Sequence, residues 1–418
     1  MKPNVQPVLV AVACLVLTGC ASAPVSMTPT SRQPPPPILA VPPVPPTPAE
    51  PVPVLPPPPM PVGQVLPVTP APSPVPPPVA VDENAGRDLL QRLLPPGIKD
   101  RNGWRNDILS AFSHLKIPQE ATWFCAALAV IEQESSWQSD PVVPNLDQIV
   151  WREVGKRAGK YHVPLLAIKA ALLKPSPDGR SYKARIDALK TETEMNALFE
   201  DMAADARKLG LPFSMKNPIR TGGPMQVSVE FAEGHVRVWP YPYTYRGSIR
   251  SEVFSRRGGL YFGIADLLQY RVDYPEMIYR FADYNAGRYS SRNAAFQAAV
   301  VSLTRKKMPL DGDLLNYATG GASATEGQLL KLSSHLGLDA AVIPRDLITE
   351  KNEAFARSEV YKRVFAAADA KAGHPLPRQV MPQIRLSSPK ITRKLTTEWF
   401  AKRVDGRYRT CLARQPAR

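Results

Sequence analysis

The run ATWFCAALAV, Ala121 to Val130, constrains this chain more than any other stretch of its length. A helix of that composition has no wet face, because apolar side chains leave its axis in every direction. Other elements must wrap it, so the fold needs a central helix with neighbours on all sides. The run ends in IEQESSW, residues 131–137, which carries Glu132 and Glu134. A carboxylate left in an apolar interior is costly unless it is paired or held neutral. The two glutamates are therefore either the surface edge of the helix or a site. On a helical wheel they point about 160° apart. Glu134 shares a face with Ala127, Val130 and Ile131, where a buried helix meets a cleft. Glu132 faces away and reads as paired or structural. Apolar walls favour the neutral form of Glu134, and a protonated carboxyl at neutral pH is what a general acid requires.

Around this run, apolar residues recur at helical spacing. Helices are expected over 87–94, 104–115, 161–173, 184–209, 262–270, 274–282, 293–303, 326–336 and 353–370. Strand-like alternation is scarce. His235 to Trp239 is the best candidate strand, leading into the aromatic turn 240–245. The pattern predicts a mainly α architecture, with residues 140–220 forming an inserted helical subdomain and residues 321–418 a basic C-terminal extension packed on the main unit, 82–320.

The start of the chain carries an address. Lys2 precedes an apolar run, Val8 to Leu17, too short to span a bilayer, and then comes Leu17-Thr18-Gly19-Cys20. That tetrad resembles the bacterial lipoprotein box. The resemblance implies removal of residues 1–19 and acylation of Cys20; the plain alternative is an ordinary signal peptide. Ala21 in place of Asp suggests, by the sorting pattern of that family, the outer membrane, with the folded part in the periplasm or exposed at the surface. Residues 20–81 follow as a tether: between Ala21 and Val81 lie 25 of the 48 prolines and only two charges, Arg32 and Glu50. Such a segment cannot bury a core and favours an extended chain.

Apart from Lys2, Arg32 and Glu50, every charge lies from Asp82 onward, leaving a net +14 there. From Pro375 to Arg418 there are 11 Lys or Arg against Glu398 and Asp405. This basic end suits an anionic envelope partner, or is simply a solvated face. No nucleic-acid module stands out. Cys125 and Cys411 remain after loss of Cys14 and acylation of Cys20. In an oxidising compartment they are either a disulfide or two separate buried thiols. No spacing of Cys and His suggests a metal, and no cofactor is indicated.

Two further stretches join Glu134-Ser135. Thr221 to Ser228 holds Gly223-Pro224-Met225-Gln226, and Phe281 to Arg288 holds Asp283-Tyr284-Asn285-Ala286-Gly287. In order and spacing the three resemble the soluble lytic transglycosylases and goose-type lysozymes, whose pattern is Glu-Ser, then Gly-Leu-Met-Gln, then Ala-Tyr-Asn-Ala-Gly. Pro224 stands for Leu and Asp283 for Ala. The wider context, with the lipoprotein start, resembles the YaiW-like uncharacterised lipoproteins of Gram-negative bacteria.

The first resemblance implies a lysozyme-like helical domain acting on peptidoglycan glycan strands, with Glu134 protonating the bond between N-acetylmuramic acid and N-acetylglucosamine and then acting as base. It implies that Ser135 supports Glu134 or touches substrate, that Met225 and Gln226 line the cleft, that Tyr284 hydrogen-bonds near the acid and that Asn285 holds its loop. Trp137 reads as a cleft wall. One carboxylate suffices for transglycosylation; a hydrolase needs a second, for which Asp140, Asp266 and Asp283 are candidates. Of the rings following the loop, Trp239 is the best candidate to face sugar, and Tyr241, Tyr243, Tyr245, Tyr261 and Phe262 read as satellite core. The competing reading is a non-catalytic envelope protein that kept the fold and binds glycan or a membrane or transporter partner.

Overall fold

The computed structural model describes residues 83–209, 217, 219–245, 247–317, 319–386 and 395–415. The leader, Cys20 and the proline-rich stretch lie outside the described residues. The described chain is mainly α. Its elements are α1 (Glu83–Leu93), α2 (Arg101–Leu115), α3 (Ala121–Ser135), α4 (Leu146–Lys160), α5 (Leu165–Ala171), α6 (Tyr182–Asp187) and α7 (Glu192–Lys208). A two-residue hairpin, β1 (Thr221–Gly222) and β2 (Val227–Ser228), precedes α8 (Val229–His235), α9 (Ile249–Val253), α10 (Arg256–Leu268), α11 (Met277–Ala286) and α12 (Ser290–Thr304). Then follow α13 (Ala324–Leu336), α14 (Val342–Leu347), a 3-10 turn (Glu353–Arg357), α15 (Glu359–Ala372), the pair β3 (Arg385–Leu386) and β4 (Leu395–Thr396), and α16 (Thr397–Leu412).

The apolar run becomes α3, and every residue from Phe124 to Ile131 is buried. Helices α1, α10 and α16 cover it. The last of these was not evident from periodicity. Its apolar stripe is narrow, Phe400, Ala401, Val404 and Cys411, and sits among Lys402, Arg403 and Arg409. A disulfide between Cys125 and Cys411 links α3 and α16 across 286 residues of sequence. The expected division near residue 320 therefore does not follow the cores. One core holds α3 together with α16; a second, built on Phe296, Leu314, Leu347, Phe355 and Phe365, belongs to α12–α15. Several cations of the basic end are engaged within the molecule: Arg378 pairs with Asp369 at 2.6 Å, Arg409 with Asp405 at 2.8 Å, and Arg414 donates to the Leu93 carbonyl at 2.9 Å.

The region 140–220 folds as α4 to α7, hung from the rest by the Val142–Thr191 bridge and the bond from Val143 N–H to the Lys190 carbonyl, 2.8 Å. Its Val154, Ile168, Ile186, Phe199 and Met202 continue the first core. Helix α4 was not expected, and the expected helix 161–173 is shorter. The expected strand 235–239 is instead the end of α8 and a turn: Trp239 N–H donates to the His235 carbonyl at 2.9 Å. That alternation has no partner strand among the described residues, so local helical bonds win. Among the described residues no helix is long and apolar enough to cross a membrane.

Candidate functional site

Helix α3 stops one residue after Glu134. Ser136 and Trp137 follow with positive φ, 49° and 65°. Two successive non-glycine residues in the left-handed region cost of order 1–3 kcal/mol each and persist only where the surroundings hold them. Trp137 is held by Trp104, whose ring it meets edge-on at 5.3 Å between centroids. The Trp137 indole N–H is buried with no hydrogen-bond partner among the described residues. Ser135 donates to the Ile131 carbonyl at 2.8 Å, so it closes its own helix.

The second stretch is the turn between β1 and β2. Gly223 has φ +71°, and a Cβ there would come within 2.2 Å of the Val253 carbonyl oxygen, so the turn needs glycine. Pro224 packs its ring edge on Gly259 of α10, and Met225 is seated against Gly263 one turn on. The glycines of α10 thus let the loop lie directly on the helix backbone, and proline fits where the resembled pattern has leucine. Gln226 takes φ 54°. Its amide donates to Glu192 Oε2 at 2.9 Å, and its carbonyl accepts from the Thr221 hydroxyl at 3.3 Å.

The third stretch closes the ring. Tyr284, on α11, donates its hydroxyl to the Met225 carbonyl at 2.7 Å. Burial pushes that phenol well above its usual range, and the negative charges of Asp266 and Glu134 push it further. Tyr284, Met225, Gln226 and Glu134 are thus brought to one place. Glu192, the first residue of α7, joins them from the inserted subdomain and is buried. Sequence reasoning missed it because an acid in a first helical turn is what the helix dipole favours anyway.

Glu134 is half-buried and sits deep among protein atoms. Its carboxyl is pushed up to about 7, first by burial and then by the like charge of Glu192, with Arg407 opposing. It accepts no hydrogen bond and forms no ion pair with a described residue. Glu132, on the other side of the helix, lies 3.5 Å from Arg407, which also donates to Gln133 at 2.7 Å.

Other expected positions are taken up by contacts within the fold. Asn285 accepts from the Thr397 hydroxyl at 2.8 Å and ties α11 to the start of α16. Asp283 is fully buried and accepts from Tyr274, Tyr270, Tyr289 N–H and Ser291 N–H. Those donors occupy its oxygens, so it is not the second carboxylate across a cleft. Asp266 is paired with Arg288 at 2.9 Å, and Asp140 accepts from Thr193 at 2.7 Å. The ring cluster Tyr241, Tyr243, Tyr261 and Phe262 packs face and edge on itself. Tyr243 donates to Ser110 at 3.0 Å, and Trp239 to the His114 carbonyl at 3.2 Å, which anchors both to α2. No cluster of three His, Cys, Asp or Glu that could hold a metal occurs among the described residues.

A family model described as "Protein of unknown function (DUF1615)" matches residues 97–414. "Uncharacterized protein YaiW" of Escherichia coli (strain K12) is 43% identical over 350 residues, covering 83% of this chain and 96% of that protein. No solved structure matches the chain.

Proposed function

Because the chain belongs to the DUF1615 family, whose function is unknown, its activity has to be argued from the site, and we propose that it cleaves peptidoglycan by lytic transglycosylation. The observation that carries this reading is the Glu134 carboxyl: at the end of the buried helix, partly open, without a partner and pushed up to about 7. Near neutral pH half of such a group holds a proton and half can accept one, which suits an acid that must become a base. Protonated Glu134 gives its proton to the glycosidic oxygen between N-acetylmuramic acid and N-acetylglucosamine. The bond breaks towards that oxygen, and the resulting carboxylate takes the proton of the muramoyl 6-hydroxyl as this oxygen attacks C1. The product is a 1,6-anhydro end, and no water is consumed. In this reading the fold is lysozyme-like, Met225, Gln226 and Trp137 line the glycan subsites, and Tyr284 holds the Met225–Gln226 loop at its distance from the acid. Acylated Cys20 would sit in the outer membrane, with the proline-rich stretch giving reach at about 3.1 Å per residue.

A second reading, glycan binding without cleavage, is favoured by one observation. Gln226, Ser135 and Asn285 each have a polar group engaged within the protein. Digestion of purified sacculi separates the two. The chain from Ala21 onward should release anhydro-muropeptides, and its Glu134→Gln variant should not. Retention of sacculi by both proteins, with no soluble product, would replace the enzyme by the binding module. New reducing ends instead of anhydro ends would make it a hydrolase, with Glu192, whose charge acts on Glu134, the candidate second carboxylate.

A further inference from the structure

Besides Val238 and Ile348 elsewhere in the fold, three large apolar side chains are left open on the α4–α5 hairpin: Leu166 is 79% exposed, Tyr161 62% and Leu173 61%. The hairpin geometry shows what stands beside them. A Cβ on Gly155 would lie 3.6 Å from the Leu165 side chain, and Lys169 Nζ lies 4.9 Å over the Trp151 ring. So Gly155 opposes Leu165, Trp151 opposes Lys169, and the two helices run antiparallel. One position further along each helix the side chain turns by about 100°. In an antiparallel pair these following positions fall on the same flank. On α4 they are Arg152 and Lys156, with Lys160 one turn on; on α5 they are Leu166 and Ala170, with Leu173 continuing the row. All six are exposed, and none is acidic.

We propose that this flank docks on the surface of an anionic lipid bilayer, Leu166 and Leu173 entering the headgroup boundary while Arg152, Lys156 and Lys160 lie on lipid phosphates. The charge pattern selects that occupant. Isolated, protruding leucines bordered by cations on long apolar stems match an interface that is apolar below and negative above. The inference is independent of the glycan chemistry, and it assigns the insertion a role that the site residues do not give it: it orients the domain on a membrane.

The test uses the chain from Ala21 onward, exported by a cleavable leader so that it carries no acyl group. It is sedimented with vesicles of phosphatidylcholine alone or of equal parts phosphatidylcholine and phosphatidylglycerol. Binding is expected only to the mixed vesicles. Replacing both leucines by serine should weaken it about tenfold or more. Each of Arg152→Glu and Lys156→Glu should weaken it at least about fivefold. A Leu166→Trp variant, on an open position that does not threaten the fold, should shift its emission to the blue when mixed vesicles are added. Equal binding to phosphatidylcholine alone, wild-type binding by the leucine or charge variants, or unchanged tryptophan emission would each overturn the proposal.

Discussion

Helices α3 and α11 each carry in their last turn a carboxyl that the fold has raised: Glu134 to about 7 and Asp283 to about 6. In both, burial is the largest cause. They differ in what surrounds the oxygens. Asp283 has two phenols and two backbone N–H groups on it. The N–H groups belong to Tyr289 and Ser291, at the start of α12, whose N-cap Tyr289 has no capping side chain of its own. Asp283 therefore acts as a remote cap, satisfying donors that the helix start leaves open. Among the described residues, Glu134 has neighbours but no donors. A raised carboxyl with saturated oxygens is architecture; one whose oxygens are left unpartnered at a partly open position is available for a ligand.

The largest expected effect breaks the comparison at Glu134. Glu134→Gln should lower glycan cleavage by on the order of 10²–10⁴, the contribution of a positioned acid–base group. It should also raise stability at neutral pH. Burial favours the protonated form of Glu134, so its folded pKa lies above the unfolded one. Stability linked to this group is fully present below about 4.5 and is lost as pH rises towards 7. Glutamine escapes that loss, so the variant should melt higher than wild type at pH 8 and close to it at pH 4. A variant less stable at both pH values would make Glu134 a structural group.

Asp283→Asn should do the opposite. It keeps the shape but offers one acceptor where four donors converge, and a buried donor left unsatisfied costs about 1–3 kcal/mol. Stability should fall by about that much or more, while cleavage per folded molecule stays within about twofold. Thermal melting and single-concentration digestion, measured on the same preparation, check both halves. A large loss of activity in a folded Asp283→Asn protein would return this residue to the site.

The wild-type pH profile of stability is a smaller effect and joins the two ends. Glu134, Asp283 and Glu350 all have raised carboxyls, the last to about 7, by burial in the second core. Each favours the fold most when protonated, so the melting temperature should decline from about pH 4 to pH 7. Asp178 and Asp369, held low by hydrogen bonds from Ser176 and Arg378, work the other way, but only at lower pH. A melting temperature that rises between pH 5 and 7 would contradict the raised carboxyls as a group.

What could be read from the sequence follows the same line. Helix α3 was legible because apolarity on every side has one structural outcome, and Glu134 because it ended that run. The pairing of Glu132 away from the site followed from helical geometry. The Met225–Gln226 loop and Tyr284 were legible as motifs. Helix α16 was not, because only Phe400, Ala401, Val404 and Cys411 of its apolar residues are buried, among many charges, and a disulfide ties its end. The role of Asp283 was hidden because its donors lie 6 to 13 residues away on different elements and meet only in the fold. Glu192 was hidden behind a sufficient local reason for an acid at a helix start.

Glu192 also supplies the smallest prediction and the sharpest one. If the like charge of Glu192 helps keep Glu134 protonated, Glu192→Gln should move the alkaline limb of the pH–rate profile to lower pH, by less than about one unit. Glutamine can still accept from the Gln226 amide, so the loop should stay in place. Cleavage near pH 5 should then match wild type within about twofold, and cleavage above pH 7 should fall several-fold. A uniform loss at every pH would mean that Glu192 serves only to hold Gln226. An unmoved limb with full activity would mean that burial alone raises Glu134, and that the insertion reaches the site without tuning its acid.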